Sequence, residues 1–241
     1  MPRLEGEASF RSFMTLIFAG RPNNREFSMN EKKLDVLYFD RKLVVVNKPS
    51  GLLSVPGKGP ENQDCVVTRV QEMFPECRKY PTVHRLDMDT SGILVLGLTA
   101  RAQRELSQQF HDREVSKRYV ALLDGVLEEE EGRVDLPLRL DVDNRPYQVV
   151  DFERGKPATT LWKRIAIENG RTRVEFVPLT GRTHQLRMHA AEPGGLGIPI
   201  VGDRLYGSGT GPGQLKLHAT YLRFMHPKTK ETMEFEVPPL F

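Results

Sequence analysis

The sequence lacks the features that identify membrane-spanning, secreted and metal-binding proteins. No apolar run approaches the roughly 20 residues that a membrane helix requires, so we expect no membrane-spanning segment. The two cysteines, Cys65 and Cys77, are too few for a disulfide framework or a cysteine-ligated metal site. This scarcity favours a reducing compartment, and we expect a cytoplasmic protein.

A strong net charge is also missing. The formal charge is only +3, which alone does not indicate a nucleic-acid partner. The distribution of charge is more informative, because basic residues are concentrated between positions 163 and 187, whereas Glu128–Glu131 form an acidic run. Such segregation permits a basic face for phosphates, with Lys163 and Arg164 as candidate phosphate contacts.

The hydrophobic pattern predicts an α+β protein. Residues 1–33 show no sustained period, and we interpret them as a leader that is disordered or, because Met29 offers an alternative start, a start-site artefact. Short apolar runs from Asp35 onward predict many strands with a few intervening helices. We therefore predict one domain over residues 34–241, built on a mixed, mostly antiparallel sheet flanked by helices and loops.

The most informative segment is His84–Gly92, which reads HRLDMDTSG and leads directly into the apolar run ILVLGL. The apolar run predicts a strand that is buried on both faces. The polar turn before it therefore lies at the edge of a rigid scaffold, where a side chain is both accessible to a ligand and held in place. A structural alternative is that Asp87 or Asp89 only makes an Asx turn to its own backbone.

This segment resembles the signature of the RluA-type pseudouridine synthases. Four further blocks resemble the same family and occur in the family's order: VVVNKPSGLL at 44–53, SKRYVA at 116–121, TGRTHQLRMH at 180–189 and GDRLYG at 202–207. Ordered blocks spread along a chain are much more specific than one short motif. The resemblance implies the pseudouridine synthase catalytic fold and the isomerisation of uridine to pseudouridine in RNA.

The resemblance also implies a substrate and a cofactor requirement. Many relatives carry an RNA-binding S4 domain, for which residues 1–33 are too short, so the chain resembles the branch without it. Members of that branch modify large-subunit ribosomal RNA and a tRNA anticodon stem-loop. We expect one or both of these RNAs as partners, a flipped-out uridine as the substrate, no cofactor, no metal and a monomeric protein.

Five site residues follow from their positions in the family's motifs. Asp87 matches the catalytic carboxylate, which acts on the sugar as a nucleophile or a base. Arg182 stands where we expect a guanidinium that pairs with this carboxylate. Tyr119 is expected to stack on the uracil and to handle the C5 proton, Leu186 to pack against the base, and Arg85 to fill the space that the flipped nucleotide leaves.

Two other residues, Lys48 and Arg187, join Lys163 and Arg164 as candidate contacts to RNA phosphates. Asp89 matches no functional position, and we assign it a structural role. His184 and His189 are five residues apart and lack the accompanying glutamate of a zinc-binding helix, so we expect no metal there.

Two alternatives belong to other functional classes. A non-catalytic RNA-binding or ribosome-assembly factor could keep the same fold, but it would not need a carboxylate beside polyanionic RNA. A divalent-metal hydrolase that uses Asp87 and Asp89 would require further carboxylates nearby.

Overall fold

Apolar runs separated by turn residues form eleven strands and three α-helices in residues 33–241, the part of the chain that the computed structural model describes. The strands are Asp35–Phe39 (β1), Leu43–Lys48 (β2), Ser91–Gly97 (β3), Ser116–Leu123 (β4), Glu131–Asp135 (β5), Leu138–Leu140 (β6), Gln148–Val150 (β7), Thr159–Glu168 (β8), Arg171–Pro178 (β9), Leu217–Met225 (β10) and Thr232–Glu236 (β11). The helices are Val66–Met73 (α1), Ala100–His111 (α2) and Gln185–Ala191 (α3), and Pro60–Asn62 form a 3-10 turn. The predictions for the leader and for Met29 fall on residues 1–32, outside the described residues.

Nine strands form one sheet in the order β1-β2-β3-β10-β4-β9-β8-β5, with β11 paired to β10. Within this sheet only β3 and β10 are parallel, as far as the described residues extend, and β6 and β7 form a separate two-stranded sheet. This arrangement confirms the predicted α+β class and the mixed, mostly antiparallel sheet. No helix in residues 33–241 is long and apolar enough to cross a membrane.

The centre of the sheet is buried on both faces, as the apolar runs predict. Val44 and Val46 of β2 belong to the apolar cluster that includes helix α1 on one face. Leu43 and Val45 pack in a second cluster with Leu106 of helix α2 on the other. Burial of this apolar surface stabilises β2 from both faces, so the loops at its ends are held in fixed positions.

The second half of the sheet packs against helix α3. Leu186 and Ala190 of this helix belong to one apolar cluster with Ala121 of β4 and with Val174 and Phe176 of β9. The turn before β3, the strand β4 and the start of α3 thus meet along one side of the sheet, where their side chains line a common cleft.

Candidate active site

The turn that carries Asp87 is fixed to the body of the protein by Ser54. The Ser54 hydroxyl donates a 2.6 Å hydrogen bond to the carbonyl of Leu86 and accepts a 3.1 Å hydrogen bond from the Leu86 N–H. Both residues are buried, so water does not compete for these bonds. The backbone immediately before Asp87 is therefore positioned before any ligand binds.

Lys48 holds the part of this turn that follows Asp87. Its ammonium donates to the carbonyls of Pro49 and Met88 at 2.9 Å each and of Leu52 at 2.7 Å. The residue is fully buried, and burial lowers its pKa to about 7 even though neighbouring carboxylates act in the opposite direction. The prediction that Lys48 contacts RNA phosphate is wrong, because carbonyl oxygens occupy the ammonium and solvent does not reach it.

His84 is a neutral structural residue. Its Nε2 accepts a 3.2 Å hydrogen bond from the backbone N–H of Val95, and its ring stacks on Phe110 with 4.3 Å between centroids. Burial, together with the nearby Lys117 ammonium, lowers the pKa of His84 to about 3. Arg85 therefore provides the only positive charge of the His-Arg pair, and its side chain is exposed.

Asp87 faces the cleft and lies beside a guanidinium. Its Oδ2 is 3.7 Å from Nη1 of Arg187, and its side chain is 28% exposed. No hydrogen bond joins this carboxylate to a backbone N–H in the described part of the chain, which argues against the Asx-turn alternative. Asp89 is instead buried and accepts from Arg204 at 2.8 Å and from the N–H of Gly213 at 3.0 Å, which supports its structural assignment.

Arg187 is held in place by a buried carboxylate. Its Nε and Nη2 donate to the two oxygens of Asp203 at 2.7 and 2.6 Å, and the two side chains are only 3% and 1% exposed. Burial opposes both charges, but their hydrogen bonds and mutual attraction outweigh it, which lowers the pKa of Asp203 and raises that of Arg187. This ion pair with two hydrogen bonds thus orients a permanently charged guanidinium toward Asp87.

This geometry corrects the prediction for Arg182. The Arg182 Nε donates to the carbonyl of Pro157 at 3.0 Å, and the side chain is partly exposed rather than paired with Asp87. Arg182 lies in the loop before α3, whereas Arg187 lies in the helix on a segment that is buried throughout. Arg187 therefore takes the position beside Asp87 that was predicted for Arg182, and at 3% exposure it is too deeply buried for the predicted phosphate contact.

Gln185 organises the loop between β9 and α3 and was missed by the sequence analysis. Its side-chain oxygen accepts from the Thr180 hydroxyl at 2.7 Å and from the Arg182 N–H at 3.0 Å. Its amide nitrogen donates to the Thr159 carbonyl at 2.9 Å and to the Thr160 hydroxyl at 3.0 Å. This buried amide has all its hydrogen-bonding groups in use, which fixes the path of the chain toward Arg187.

Tyr119 and Leu186 line the same cleft as Asp87, and Arg85 lies at its rim. The cleft has a volume of about 1150 Å³, which is ample for a nucleotide. Burial, reinforced by the negative charge of Asp87, raises the pKa of Tyr119, so its hydroxyl keeps its proton near neutral pH. Leu186 is 7% exposed and offers an apolar surface beside the carboxylate.

The charge of the cleft is strongly one-sided. Asp87 is the only carboxylate among the described residues that line it. Its basic lining residues are Arg85, Arg113, Lys117, Arg118, Arg182 and Arg187. The Lys117 ammonium has no hydrogen bond or ion pair within residues 33–241, and burial lowers its pKa. A single carboxylate among cations matches a site that receives a polyanion and acts on it with one acid group.

Two other predicted phosphate contacts lie outside this lining. Arg164 Nη1 donates to the carbonyls of Leu127 and Glu128 at 3.0 and 2.8 Å, and its Nη2 lies 3.4 Å from Glu130, so these contacts do not favour the predicted phosphate contact. Lys163 is exposed on β8 but stands in register between Glu131 and Glu175 of the adjacent strands. These glutamates reduce the positive potential at Lys163.

His184, which precedes α3, and His189 within the helix have partners other than a metal. His189 is buried and shares hydrogen bonds with the Thr160 hydroxyl at 2.9 Å and the Leu136 carbonyl at 3.3 Å. His184 shares one with the Tyr206 hydroxyl at 2.8 Å. No group of three or more His, Cys, Asp or Glu side chains suited to a metal ion occurs in the described region.

Comparison with known proteins decides the family. The family model described as RNA pseudouridylate synthase matches residues 42–192, more than half of the chain. The chain belongs to the RNA pseudouridylate synthase family. It is therefore an isomerase that converts uridine to pseudouridine in RNA, as the motifs imply.

Relatives resemble this pseudouridine synthase over nearly its full length. The dual-specificity RNA pseudouridine synthase RluA of Pasteurella multocida is 48% identical over 216 residues, which cover 86% of this chain and 94% of the relative. The protein of the same name from Escherichia coli K12 is 47% identical over 215 residues, covering 88% and 95%. Among solved structures, human RNA pseudouridylate synthase domain containing 1 has a TM-score of 0.67 and 30% identity, and the match covers 87% of this chain and 85% of that one.

Proposed function

We propose that Asp87 carries the bond-breaking step of the pseudouridine reaction. The observation behind this is that Asp87 is the only carboxylate in the cleft, within the described residues, and that six lysine and arginine residues line the same cleft. The reaction breaks the bond between N1 of uracil and C1′ of the sugar, rotates the base, and joins C5 to C1′. The proton lost from C5 balances the one gained at N1, so no cofactor is required.

An ionised carboxylate can assist this reaction in two ways. It can attack C1′ as a nucleophile, or it can remove a proton from the sugar as a base. Both require Asp87 to stay charged in a cleft that closes over a base. The Arg187 guanidinium, whose Nη1 lies 3.7 Å from Asp87 Oδ2, attracts the carboxylate and orients it in the cleft.

Three other cleft residues hold the substrate in this proposal. Tyr119 stacks on the uracil and, because its hydroxyl stays protonated, acts as a hydrogen-bond donor or acid rather than as a resting base. Leu186 packs against the face of the base. Arg85, exposed at the rim, fills the space that the flipped nucleotide leaves in the RNA.

The RNA backbone is proposed to follow the unpaired cations of the cleft. Arg113, Lys117 and Arg182 line it and make no ion pair with a carboxylate within residues 33–241. They replace Lys48, Arg164 and Arg187 as proposed phosphate contacts. Cations that line the cleft attract RNA from solution and bind the phosphates of its backbone, while the flipped-out uridine enters the site.

The proposed targets are large-subunit ribosomal RNA and a tRNA anticodon stem-loop. Support comes from the relatives named as dual-specificity RNA pseudouridine synthases, which match over nearly their whole length. Mapping pseudouridines in RNA from cells that lack the protein tests this. Sites in both RNAs should disappear and return with the wild-type gene but not with Asp87→Asn. Restoration of the pseudouridines in both RNAs by Asp87→Asn would contradict the proposed role of Asp87.

We also propose that residues 34–241, which form a compact unit of their own, constitute the catalytic domain. The protein is proposed to act as a monomer in the cytoplasm, where both of its free cysteines remain reduced. Light scattering of the purified protein tests the monomer, and fractionation of cells tests the location.

A further inference from the structure

His184 is placed at the cleft by an unusual backbone conformation. It has φ 53° and ψ 19°, the left-handed region that side-chain-bearing residues seldom adopt, and it directly precedes α3. Such a conformation is strained for a residue with a side chain and persists where the surroundings impose it, often at functional sites. The His184 side chain lines the cleft and interacts electrostatically with Asp87.

Tyr206 fixes the protonation pattern of the His184 ring. The Tyr206 hydroxyl accepts a 2.9 Å hydrogen bond from the Gln148 N–H and lies 2.8 Å from His184 Nδ1. Burial raises the pKa of Tyr206 to about 12, so the hydroxyl carries its proton at neutral pH. Nδ1 is the only acceptor for that proton among the contacts of the described residues. Tyr206 therefore donates to Nδ1, and the ring proton of a neutral His184 must be on Nε2.

The charged groups around His184 leave it neutral. Burial has the largest effect and lowers the pKa of the imidazole, with smaller contributions in the same direction from Arg187 and Arg85. Asp87 and Asp203 act in the opposite direction but do not reverse it. A neutral ring with a bare Nδ1 is the form that accepts from Tyr206.

The Nε2–H is directed away from Tyr206. The two nitrogens of an imidazole project from different sides of the ring, and Tyr206 does not line the cleft whereas His184 does. Nε2 has no hydrogen-bond partner anywhere in residues 33–241. A donor that is oriented by a partly buried tyrosine and has no protein acceptor is suited to a ligand.

We propose that His184 is a substrate-binding residue of the pseudouridine reaction, and that its Nε2–H donates a hydrogen bond to an acceptor oxygen of the flipped nucleotide. This inference rests on the proposed function, because it takes the cleft around Asp87 to be the site of isomerisation. Tyr206 is then a positioning residue that acts through the imidazole.

Ring-nitrogen NMR of the full chain labelled with ¹⁵N-histidine tests the tautomer directly. The chain has six histidines, and His184→Gln identifies the resonance that belongs to His184. We expect the Nε2–H form in the wild type and a loss of this fixed tautomer in Tyr206→Phe. Tyr147→Phe is the matched control, since Tyr147 packs edge-on against Tyr206 at 5.9 Å and its hydroxyl has no hydrogen bond within the described chain. A wild-type His184 with its proton on Nδ1 would overturn the proposal.

Kinetics on an unmodified anticodon stem-loop transcript tests the contact. His184→Leu should lower kcat/KM by about 10- to 100-fold, the range for an acceptor that loses its donor in a water-poor site. His184→Gln should retain most of the activity, because its side-chain amide can supply a donor in place of Nε2–H. If His184→Leu folds and matches the wild type while Asp87→Asn is inactive, only the His184 proposal fails. If Asp87→Asn is active, the proposed function itself fails.

Transcripts that contain 2-thiouridine or 4-thiouridine identify the acceptor oxygen. Sulfur accepts hydrogen bonds weakly, so a His184→Leu penalty that disappears on one of these RNAs assigns the contact to that uracil carbonyl. A penalty that persists on both assigns it to the sugar–phosphate backbone.

Discussion

Removing the Arg187 side chain tests whether the buried ion pair between Arg187 and Asp203 supports both the fold and the reaction. In Arg187→Met, Asp203 would remain 1% exposed and would keep only two backbone donors, the N–H groups of Leu205 and Tyr206. Removing one partner of a buried ion pair costs about 3–5 kcal/mol, because the other charge is left without compensation. In a domain of this size each kcal/mol shifts Tm by roughly 2–4 °C, so we expect a decrease of roughly 6–20 °C.

The double variant Arg187→Met/Asp203→Asn separates the cost of the isolated charge from the loss of packing. It should recover part of the lost Tm, since the remaining amide is neutral. Pseudouridine formation should be lost in both variants at temperatures where they are folded, because Asp87 has lost its guanidinium partner in each. Arg182→Met is the matched control and should change Tm by only about 2 °C, as expected for a partly exposed side chain.

Thermal unfolding followed by circular dichroism, with conversion measured on the same samples, supplies both quantities. A decrease in Tm below about 2 °C for Arg187→Met would refute the buried-charge reasoning. An equal decrease for Arg182→Met would refute the conclusion that Arg187, and not Arg182, is the arginine of the buried ion pair.

Further predictions concern RNA binding, acid stability, metal ions and the domain boundary. Lys117→Gln should reduce the slope of log affinity for RNA against log salt concentration by about 1, and Lys163→Gln should reduce it by much less. Equal slopes for the two variants would contradict the proposed path of the RNA backbone. The pKa of Asp203 is lowered on folding, so its stabilising contribution is present above pH ~4 and lost as the pH falls through its folded pKa. The difference in unfolding free energy between wild type and Asp203→Asn should therefore shrink in acid titrations. Turnover should survive EDTA once RNA folding is controlled, and restoration by one divalent ion alone would contradict this. A chain that begins at Met29 should fold and retain activity, which unfolding and conversion assays check.

The sequence predicted the elements whose burial follows a simple pattern. Ile93–Leu96 and Val44–Val46 are continuous apolar runs, and both strands lie where helices cover the two faces of the sheet. Strand β5 has no apolar run to indicate it, because its sequence EGRVD has a single buried residue, Val134, and begins with the last glutamate of the acidic run. An edge strand that buries one side chain leaves too weak a period to detect.

Motif positions located Asp87, but not the contacts that depend on long-range packing. Arg182 and Arg187 are both arginines in the same block, and spacing alone does not tell which one meets a carboxylate from another loop. One signal was available: an arginine inside an otherwise buried helix must find a carboxylate, and Asp203 of the next block was free to supply it. The Lys48 ammonium is held by two carbonyls of the turn that follows it, Pro49 and Leu52, and by Met88 from the turn that carries Asp87, a long-range contact that no local pattern reveals.

Pseudouridine formation by Asp87→Asn is the most direct test of the proposed chemistry, because the substitution keeps the size of the side chain and removes its charge. Single-turnover conversion of an anticodon stem-loop transcript should fall by on the order of 10⁴-fold or more, while Tm and RNA affinity remain close to those of the wild type. Asp89→Asn is an informative comparison, since its carboxylate anchors Arg204 and the Gly213 loop and its loss should affect stability more than chemistry. Conversion by folded Asp87→Asn within about tenfold of the wild type would contradict the catalytic role of this carboxylate.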